Sequence, residues 1–203
     1  MRIFDFEQGS EEWHAARCGL PTTSRFDKII TASKAAYSSQ SKSLIATLIA
    51  EQLPGYERPY LSEWVQRGND MEPRAVACYE FLTDFKVEKV GFVKPDDRDD
   101  VGSSPDRLVN DGESEGLLEI KCPKAETLVG YHIDGTLPND YKAQVQGQLW
   151  ITGLPWCDFF AWHPELDPFQ IRVERDEEFI KKLVLCVDKF CKQYQKVKEQ
   201  LGQ

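Results

Sequence analysis

The sequence predicts an α/β fold in which a few strands lie between amphipathic helices. Residues 105–110 and 116–122 alternate in polarity as two short strands, joined by a glycine- and acid-rich turn at residues 111–115. From Asp176 onward, apolar residues recur at helical spacing. A chain of 203 residues suffices for one domain with a sizeable core, so we expect residues 1–203 to form a single domain.

The other elements are predicted from capping residues, from glycine or proline breaks and from apolar spacing. Helices are expected at residues 11–17 after the N-cap Ser10, at 21–30, at 43–52, from 62 with a break or kink at Gly68 and Pro73, from 124 to about 134, and from 138. Further strands are expected at residues 86–94, 156–163 and 169–174.

Charged side chains converge on the predicted hairpin. Glu119 and Lys121 are two residues apart on the second strand, so both point to one face while Ile120 points to the other. If the two strands pair, Asp106 lies beside that face. Because hard divalent cations choose oxygen ligands, two carboxylates beside a lysine can hold Mg²⁺ together with a polarised water.

A plainer interpretation of this hairpin also stands. An E-x-K triplet is expected about once by chance in a chain this charged, and such residues on one side of a hairpin are commonly a solvated face. The apolar neighbours Leu117, Leu118 and Ile120 favour a buried strand instead. Buried charges are paired or bind metal, so the apolar setting favours a metal site.

Residues near the N-terminus form a second candidate site. Trp13 and Arg17 are four residues apart and share a helix face, where the indole can brace the guanidinium. The hydroxyl-rich segment that ends at Ser24 begins the next helix, where free N–H groups and the helix dipole favour an anion. This pattern is compatible with a phosphate cradle, but spacing alone favours an ordinary capping turn.

Two further polar residues occur in apolar surroundings. Glu72 precedes a proline and an apolar run, at a point where a helix enters the core, and an acid in the first turn of a helix explains it as well. Gln144 lies among large apolar residues at helical spacing, so its amide either satisfies a backbone group or faces a site.

Composition narrows the functional classes. The formal net charge of −9 argues against a nonspecific basic coat for nucleic acid, and residues 94–120 alone carry nine acids and three bases. Bound cations would offset part of that charge, so a nucleic-acid substrate is compatible with it. The six cysteines lack a C-x-x-C pair, and no apolar leader or membrane-length run occurs. We therefore expect reduced thiols and a cytoplasmic protein that does not enter the membrane.

Six motifs follow one another along about residues 10–165. They are E-W-H-x-x-R-x-G from Glu12, T-T-S from Thr22, R-G-N-x-x-E from Arg67, S-S-P-D from Ser103, L-E-I-K-C-P from Leu118 and A-Q-V-Q-G-Q-L-W from Ala143. Their order resembles the phage lambda exonuclease group of the YqaJ-type viral recombinases, within the PD-(D/E)xK nuclease superfamily. No single motif decides this resemblance, but six in the same order are specific.

The resemblance implies roles for the residues of the candidate metal site. Asp106 and Glu119 match the metal-binding carboxylates, and the Ile120 carbonyl matches a further ligand. Glu72 matches the helix acid that completes a second metal position. Lys121 matches the lysine that positions or activates the attacking water.

The resemblance also implies a grip on the end of the substrate. Arg17, Ser24 and Ser104 match residues that hold the terminal 5′-phosphate, and Gln144 matches a catalytic-motif glutamine near both the metals and that phosphate. Related enzymes carry an arginine shortly after the lysine strand, and this chain has none there. Lys124 can replace it only partly, because an ammonium lacks the bidentate fork of a guanidinium.

The implied fold is a central mixed β-sheet flanked by helices, with a restriction-endonuclease-like nuclease core. The implied activity is that of an exonuclease with two Mg²⁺ per site, for which Mn²⁺ can substitute. It would degrade the 5′-ended strand of linear double-stranded DNA from phosphorylated ends and leave the 3′ strand for a single-strand annealing protein. A ring-shaped homotrimer, encoded by a phage or prophage in a bacterial host, is expected.

Two alternatives stay open at this point. A PD-(D/E)xK endonuclease would cut covalently closed circles, whereas an exonuclease needs an end. A non-catalytic module that binds DNA ends or a recombinase would have no need of all four residues Glu72, Asp106, Glu119 and Lys121, so their joint presence argues against it.

Overall fold

Helices and strands alternate along the chain, for which a computed structural model describes residues 1–58, 60 and 62–202. The elements in order are β1 (Arg2–Phe4), α1 (Glu11–Arg17), a 3₁₀ helix (Thr23–Lys28), β2 (Ile30–Thr31), β3 (Ala36–Tyr37), α2 (Ser41–Ala50), α3 (Glu63–Thr83), β4 (Lys86–Lys89), β5 (Phe92–Lys94), β6 (Arg107–Asn110), β7 (Glu115–Lys121), α4 (Ala125–Asp134), α5 (Asn139–Thr152), β8 (Trp156–His163), β9 (Leu166–Glu174) and α6 (Glu177–Gln200).

The central sheet has the strand order β4-β6-β7-β8-β9. β7 and β8 run parallel, and the other neighbouring strands run antiparallel. Parallel strands need a long crossover connection, which α4 and α5 supply between β7 and β8. The predicted mixed β-sheet flanked by helices is therefore confirmed, and β7 lies at its centre.

The two faces of β7 are covered by different helices. Leu118 and Ile120 pack with Ala75 of α3, whereas Leu117 packs with residues of α5. Because side chains alternate along a strand, Glu119 shares the α5 face with Leu117. The prediction that Glu119 and Lys121 share one face, opposite Ile120, is confirmed.

A buried carboxylate of the sheet anchors α3. Asp158 on β8 is fully buried and accepts hydrogen bonds from the Arg172 guanidinium at 2.9 and 3.1 Å. The Tyr79 hydroxyl of α3 donates to the same carboxylate at 2.7 Å. Burial raises the pKa of Tyr79 far above its usual range, and the bond to Asp158 adds to the increase. The phenol therefore stays a donor at any physiological pH and anchors the helix.

Of the break or kink predicted at Gly68 and Pro73, the break is wrong. α3 is continuous over its 21 residues with Pro73 inside it, and its N-cap Ser62 accepts a hydrogen bond from the Val65 amide. A proline inside a helix removes one backbone hydrogen bond and crowds the carbonyl one turn earlier, and packing of the apolar face against the sheet compensates here. Glu72 consequently lies in the middle of a helix, so the interpretation as a first-turn acid is also wrong.

The single strand predicted at residues 86–94 is wrong as well. β4 joins the central sheet, whereas β5 pairs with β1 in a separate two-stranded sheet. The chain changes direction at Gly91, where a Cβ atom would clash with the backbone oxygens of Phe4 and Phe6. Only glycine permits that close approach.

The helix predicted at residues 21–30 ends earlier than expected. It is a 3₁₀ helix that ends at Lys28, and Ile30 then begins a short hairpin with β3. The predicted helices at 11–17, 43–52, 124–134 and from 138 have counterparts in α1, α2, α4 and α5. Among the described helices, none is both long enough and apolar enough to cross a membrane.

Candidate active site

The structure brings Asp106, Glu119 and Lys121 together at one end of β7. Asp106 precedes β6, and its Oδ2 atom accepts a hydrogen bond from the Ile120 amide at 2.6 Å. Glu119 is 1% exposed, and Lys121 donates from Nζ to its Oε1 atom. The sequence prediction that the paired strands place Asp106 beside this face is confirmed. We call these three residues the carboxylate centre.

Two glutamines of α5 hold Glu119 from the other side. Gln144 donates from Nε2 to Oε1 of Glu119 at 2.6 Å, and Gln148 donates from Nε2 to Oε2 at 2.6 Å. The amide of Gln144 therefore faces the site and, among the described residues, does not satisfy a backbone group, the other role considered from the sequence. Each oxygen of this buried carboxylate has an amide donor, so the carboxylate is held in one orientation.

Gln148 is the residue of this group that the sequence interpretation missed. Its side chain is fully buried, and within the described part of the chain its Oε1 atom has no hydrogen-bond partner. Burying an amide whose oxygen has no hydrogen-bond partner costs folding free energy. The hydrogen bond from Nε2 to Glu119 gives this residue a role that explains its presence. Its position one helical turn after Gln144 was the available signal, because residues four apart share a helix face.

Burial and neighbouring charges shift the protonation of the carboxylate centre. Burial raises the pKa of Asp106 well above its usual range, and the negative charge of Glu119 raises it further. For Lys121, burial alone would lower the pKa, but the charges of Glu119 and Asp106 outweigh it and raise the pKa. Lys121 is therefore an ammonium at neutral pH, able to donate hydrogen bonds and unable to accept a proton.

Glu72 reaches the same end of the sheet from α3. Its Oε1 atom lies 2.9 Å from Nη1 of Arg107, the residue that follows Asp106. The same Nη1 atom also donates to the carbonyl of Asp106, so Arg107 links Glu72 to the backbone of Asp106. The structure thus brings Glu72 towards the carboxylate centre, where it is paired with an arginine.

The donor set of the carboxylate centre fits a divalent cation. The buried carboxylate of Glu119 and the partly exposed carboxylate of Asp106 have a single ammonium, that of Lys121, beside them. Hard cations such as Mg²⁺ take carboxylate and carbonyl oxygens and keep several waters. Within residues 1–58, 60 and 62–202, no three His, Cys, Asp or Glu side chains are grouped to hold an ion by themselves. An ion there would use Asp106, Glu119, the Ile120 carbonyl and water.

Arg17 forms the centre of a second polar pocket. Its guanidinium lies 4.1 Å above the Trp13 ring and donates from Nη1 to the Ser104 hydroxyl at 2.8 Å. Nη2 lies 3.4 Å from the hydroxyl oxygens of both Thr22 and Ser24. We call Arg17, Thr22, Ser24 and Ser104 the hydroxyl pocket. The predicted bracing of Arg17 by Trp13 and its proximity to Ser24 are present.

Arg17 keeps its charge in this pocket. Burial lowers its pKa to about 10, and the nearby charge of Arg25 contributes to the decrease. A guanidinium with that pKa is still cationic at neutral pH. Its nearest described partners are neutral hydroxyls, so the pocket combines a positive charge with hydrogen-bonding groups suited to an anion.

The hydroxyl pocket and the carboxylate centre share one chain segment. The Ser103 hydroxyl is buried and hydrogen-bonded at 2.8 Å to that of Thr23, at the start of the 3₁₀ helix. Ser104 follows in the pocket, and Asp106 lies two residues later in the carboxylate centre. The 3₁₀ helix also packs on α5 at Gly147, where a Cβ atom would lie 2.6 Å from the Phe26 ring. These contacts hold the two sites in fixed positions.

Residues 12–155, which include both sites, match the family described as the YqaJ-like viral recombinase domain. The chain belongs to this family. The resemblance to the lambda exonuclease and YqaJ group, inferred from six motifs, is therefore confirmed.

Solved structures also resemble this member of the YqaJ-like family. The alkaline exonuclease LHK-Exo from Laribacter hongkongensis is 31% identical, with 95% of this chain and 98% of that chain covered and a TM-score of 0.79. LHK-Exo has also been solved in complex with dAMP. A phage-related exonuclease from Haemophilus somnus 129PT has 16% identity, covers 90% of this chain and 96% of its own, and has a TM-score of 0.67, which is a likeness of fold.

A viral protein is similar in sequence. The uncharacterized protein R354 of Acanthamoeba polyphaga mimivirus is 27% identical over 169 residues, which are 78% of this chain. The chain spans only 29% of the length of that mimivirus protein.

The segment after β7 lacks the arginine that the family resemblance led us to expect there. Lys124, the partial replacement for the expected arginine, lies with Nζ 4.0 Å above the ring of Trp64, which is 56% exposed. Arg67 of α3 donates from Nη1 to the Cys122 carbonyl at 3.2 Å. No arginine follows Lys121 closely in the sequence. Arg67, from α3, nevertheless places a guanidinium beside the end of β7.

Proposed function

We propose that this chain is a Mg²⁺-dependent exonuclease that degrades the 5′-ended strand of linear duplex DNA from phosphorylated ends. The observation that supports it best is the shared segment from Ser103 to Asp106, which joins the hydroxyl pocket to the carboxylate centre. Membership of the YqaJ-like family and the 31% identity to the alkaline exonuclease LHK-Exo give independent support.

In this proposal the carboxylate centre holds Mg²⁺ through Asp106, Glu119 and the carbonyl of Ile120. When bound, the ion would lower the pKa of a coordinated water and stabilise negative charge on the phosphate oxygens. Lys121 is an ammonium, so it orients the attacking water by donating hydrogen bonds. Gln144 and Gln148 keep the Glu119 carboxylate in one orientation during this step.

The hydroxyl pocket takes the terminal 5′-phosphate. A terminal phosphate carries more negative charge than an internal phosphodiester, so a fixed guanidinium favours it through charge-assisted hydrogen bonds. Arg17 supplies the positive charge, and Ser24 and Ser104 supply hydroxyl groups. A free 5′ end with its phosphate would therefore be the preferred substrate.

A digestion assay tests the proposal. Linear duplexes labelled at the 5′ or 3′ end, and a covalently closed circle, are incubated with and without Mg²⁺. We expect Mg²⁺-dependent loss of the 5′-ended strand only, with an intact circle. Cutting of the circle would indicate the endonuclease alternative, and loss from 3′ ends would contradict the polarity.

Two variants show whether the carboxylate centre is responsible. Glu119→Gln is expected to abolish cleavage, because the buried ligand loses its charge. Glu178→Gln is the matched control, since Glu178 is an exposed glutamate of α6 paired with Lys181, and it should keep full activity. Robust nuclease activity in the purified Glu119→Gln variant would place the site elsewhere.

The assembly and partners are proposals that rest on the family resemblance alone. A homotrimeric ring threaded by duplex DNA would keep an acidic subunit on its substrate by topology rather than by affinity. A single-strand annealing protein would receive the exposed 3′ strand. The second Mg²⁺ position at Asp106 and Glu72 also stays a prediction, because Glu72 is paired with Arg107.

A further inference from the structure

Glu72 already has a cationic partner in this protein. Its carboxylate lies 2.9 Å from Nη1 of Arg107, and the two side chains are 31% and 11% exposed respectively. Arg107 supplies the positive charge of a planar guanidinium to this pair. The helix acid that the family resemblance assigns to a second metal ion is therefore neutralised by the chain itself.

The backbone places Arg107 between the two residues that would share such an ion. Arg107 pairs with Leu118 across β6 and β7, and Leu118 packs on the α3 face of the sheet. The same Nη1 atom donates to the carbonyl of Asp106. The guanidinium thus bridges Glu72 of α3 and the backbone of Asp106, the two residues expected to share the second ion.

The charge balance of the site supports one divalent ion rather than two. With every carboxyl deprotonated, as metal binding requires, three carboxylates (Glu72, Asp106 and Glu119) face two cations (Arg107 and Lys121), which is a formal net charge of −1. One Mg²⁺ changes this to +1, which suits a site that must also take a phosphodiester. A second Mg²⁺ would bring it to +3 and would have to displace Arg107 from its carboxylate, and leaving such a largely buried charge unpaired is unfavourable.

We propose that Arg107 takes the place of the second cation, so that each subunit of the DNA-free protein binds one divalent ion. The inference rests on the proposed metal-dependent function and changes its stoichiometry. The single ion is held on the α5 face by Asp106 and Glu119. Glu72 then acts as a positioning residue for Arg107, and the guanidinium provides a fixed positive charge that needs no metal.

Titration of the metal-free protein with Mn²⁺, followed by calorimetry and by the paramagnetic signal of the free ion, tests this directly. We expect one ion per subunit in the unmodified protein. Arg107→Gln removes the competing charge and is expected to bind two ions. Arg107→Lys keeps the charge and should bind one ion, which makes it the matched control. A melting curve of each variant verifies that it is folded.

Glu72→Gln provides a second test, and its first part needs no arginine variant. If Glu72 is occupied by Arg107, the Glu72→Gln protein still binds one ion, as the unmodified protein does. In the Arg107→Gln background the same change should remove the second ion. Two ions bound by the unmodified protein, or fewer ions bound by Glu72→Gln than by the unmodified protein, would overturn the inference.

The outcomes separate this inference from the proposed function. Glu119→Gln should abolish Mn²⁺ binding whichever role Arg107 has, because it removes a charged ligand of the ion held by Asp106 and Glu119. Two ions in the unmodified protein would leave the metal-dependent nuclease intact and overturn only the role of Arg107. Absence of any bound ion would overturn the metal centre itself, and the inference with it.

Discussion

Replacing Arg17 tests how the protein would recognise the end of its substrate. Arg17→Ala removes the only charged group among the four members of the hydroxyl pocket, while Trp13 still donates to the Ser104 hydroxyl at 2.9 Å. The shape of the pocket should therefore survive the change. Losing a hydrogen bond to a charged group costs about 1.5–3 kcal/mol. That corresponds to a rate roughly tenfold to a hundredfold slower on 5′-phosphorylated ends.

The assay compares initial digestion rates on duplexes that differ only in a 5′-phosphate or a 5′-hydroxyl. We expect Arg17→Ala to slow the phosphorylated substrate strongly and the hydroxyl substrate much less, so that the two become nearly equivalent. The pKa of Arg17 is lowered to about 10, mainly by burial, so the effect should be complete at neutral pH and should shrink only as the pH rises through about 10.

Two control variants accompany this measurement. Arg74→Ala also removes an arginine that lies over a tryptophan, at 5.1 Å from the Trp162 ring, and it should leave the preference unchanged. Arg17→Lys keeps the charge without the planar fork and should retain part of the preference. If Arg17→Ala keeps the full preference between the two ends, Arg17 only supports the helix surface and the reasoning fails.

Two further predictions follow from the geometry of the chain, and a third follows from the family resemblance. Gln148→Leu removes the donor to Oε2 of Glu119 and should lower kcat about tenfold with little change in DNA affinity; equal kcat values would contradict its positioning role. Tyr79→Phe leaves Asp158 with one donor fewer and should lower the free energy of unfolding in urea by about 1–3 kcal/mol; an unchanged value would mean that water replaces the hydroxyl. Light scattering should give three subunits, and a monomer that degrades long duplexes processively would contradict the ring.

The hairpin of the carboxylate centre was predictable because its signals are local. Alternation along residues 116–122 decides which side chains share a face, and the short turn decides which strand lies beside it. Asp106, Glu119 and Lys121 could therefore be brought together from the sequence alone. The buried setting, inferred from Leu117 and its apolar neighbours, is also a local signal.

The roles of Gln148 and Arg107 were not predictable in this way. Each depends on which helix covers which face of β7, and that choice is made by contacts between segments far apart in the chain. α5 covers the Glu119 face, so Gln148 donates a hydrogen bond to the carboxylate of Glu119. α3 covers the opposite face, so Arg107 meets Glu72. A sequence pattern shows which side chains of a strand or helix share a face. It does not show which other element packs on that face.

The errors in secondary structure have the same origin. Residues 86–94 look like one strand, and they divide because β1, from the N-terminus, pairs with their second half. Pro73 looks like a helix break, and the helix continues because its apolar face packs on the sheet around Tyr79. In both cases tertiary contacts override a local preference.

The short segment from Ser104 to Asp106 also limits which phosphodiester bond of the DNA strand can be cut. Two residues span at most about 7 Å, and one nucleotide advances about 3.4 Å along the axis of a duplex strand. If the hydroxyl pocket holds the terminal phosphate while the carboxylate centre acts, the reacting phosphodiester lies within the first one or two nucleotides. We therefore expect mononucleotides or dinucleotides as the first products, measurable by chromatography of an early digest. Longer first products would mean that the pocket does not hold the terminal phosphate during cleavage.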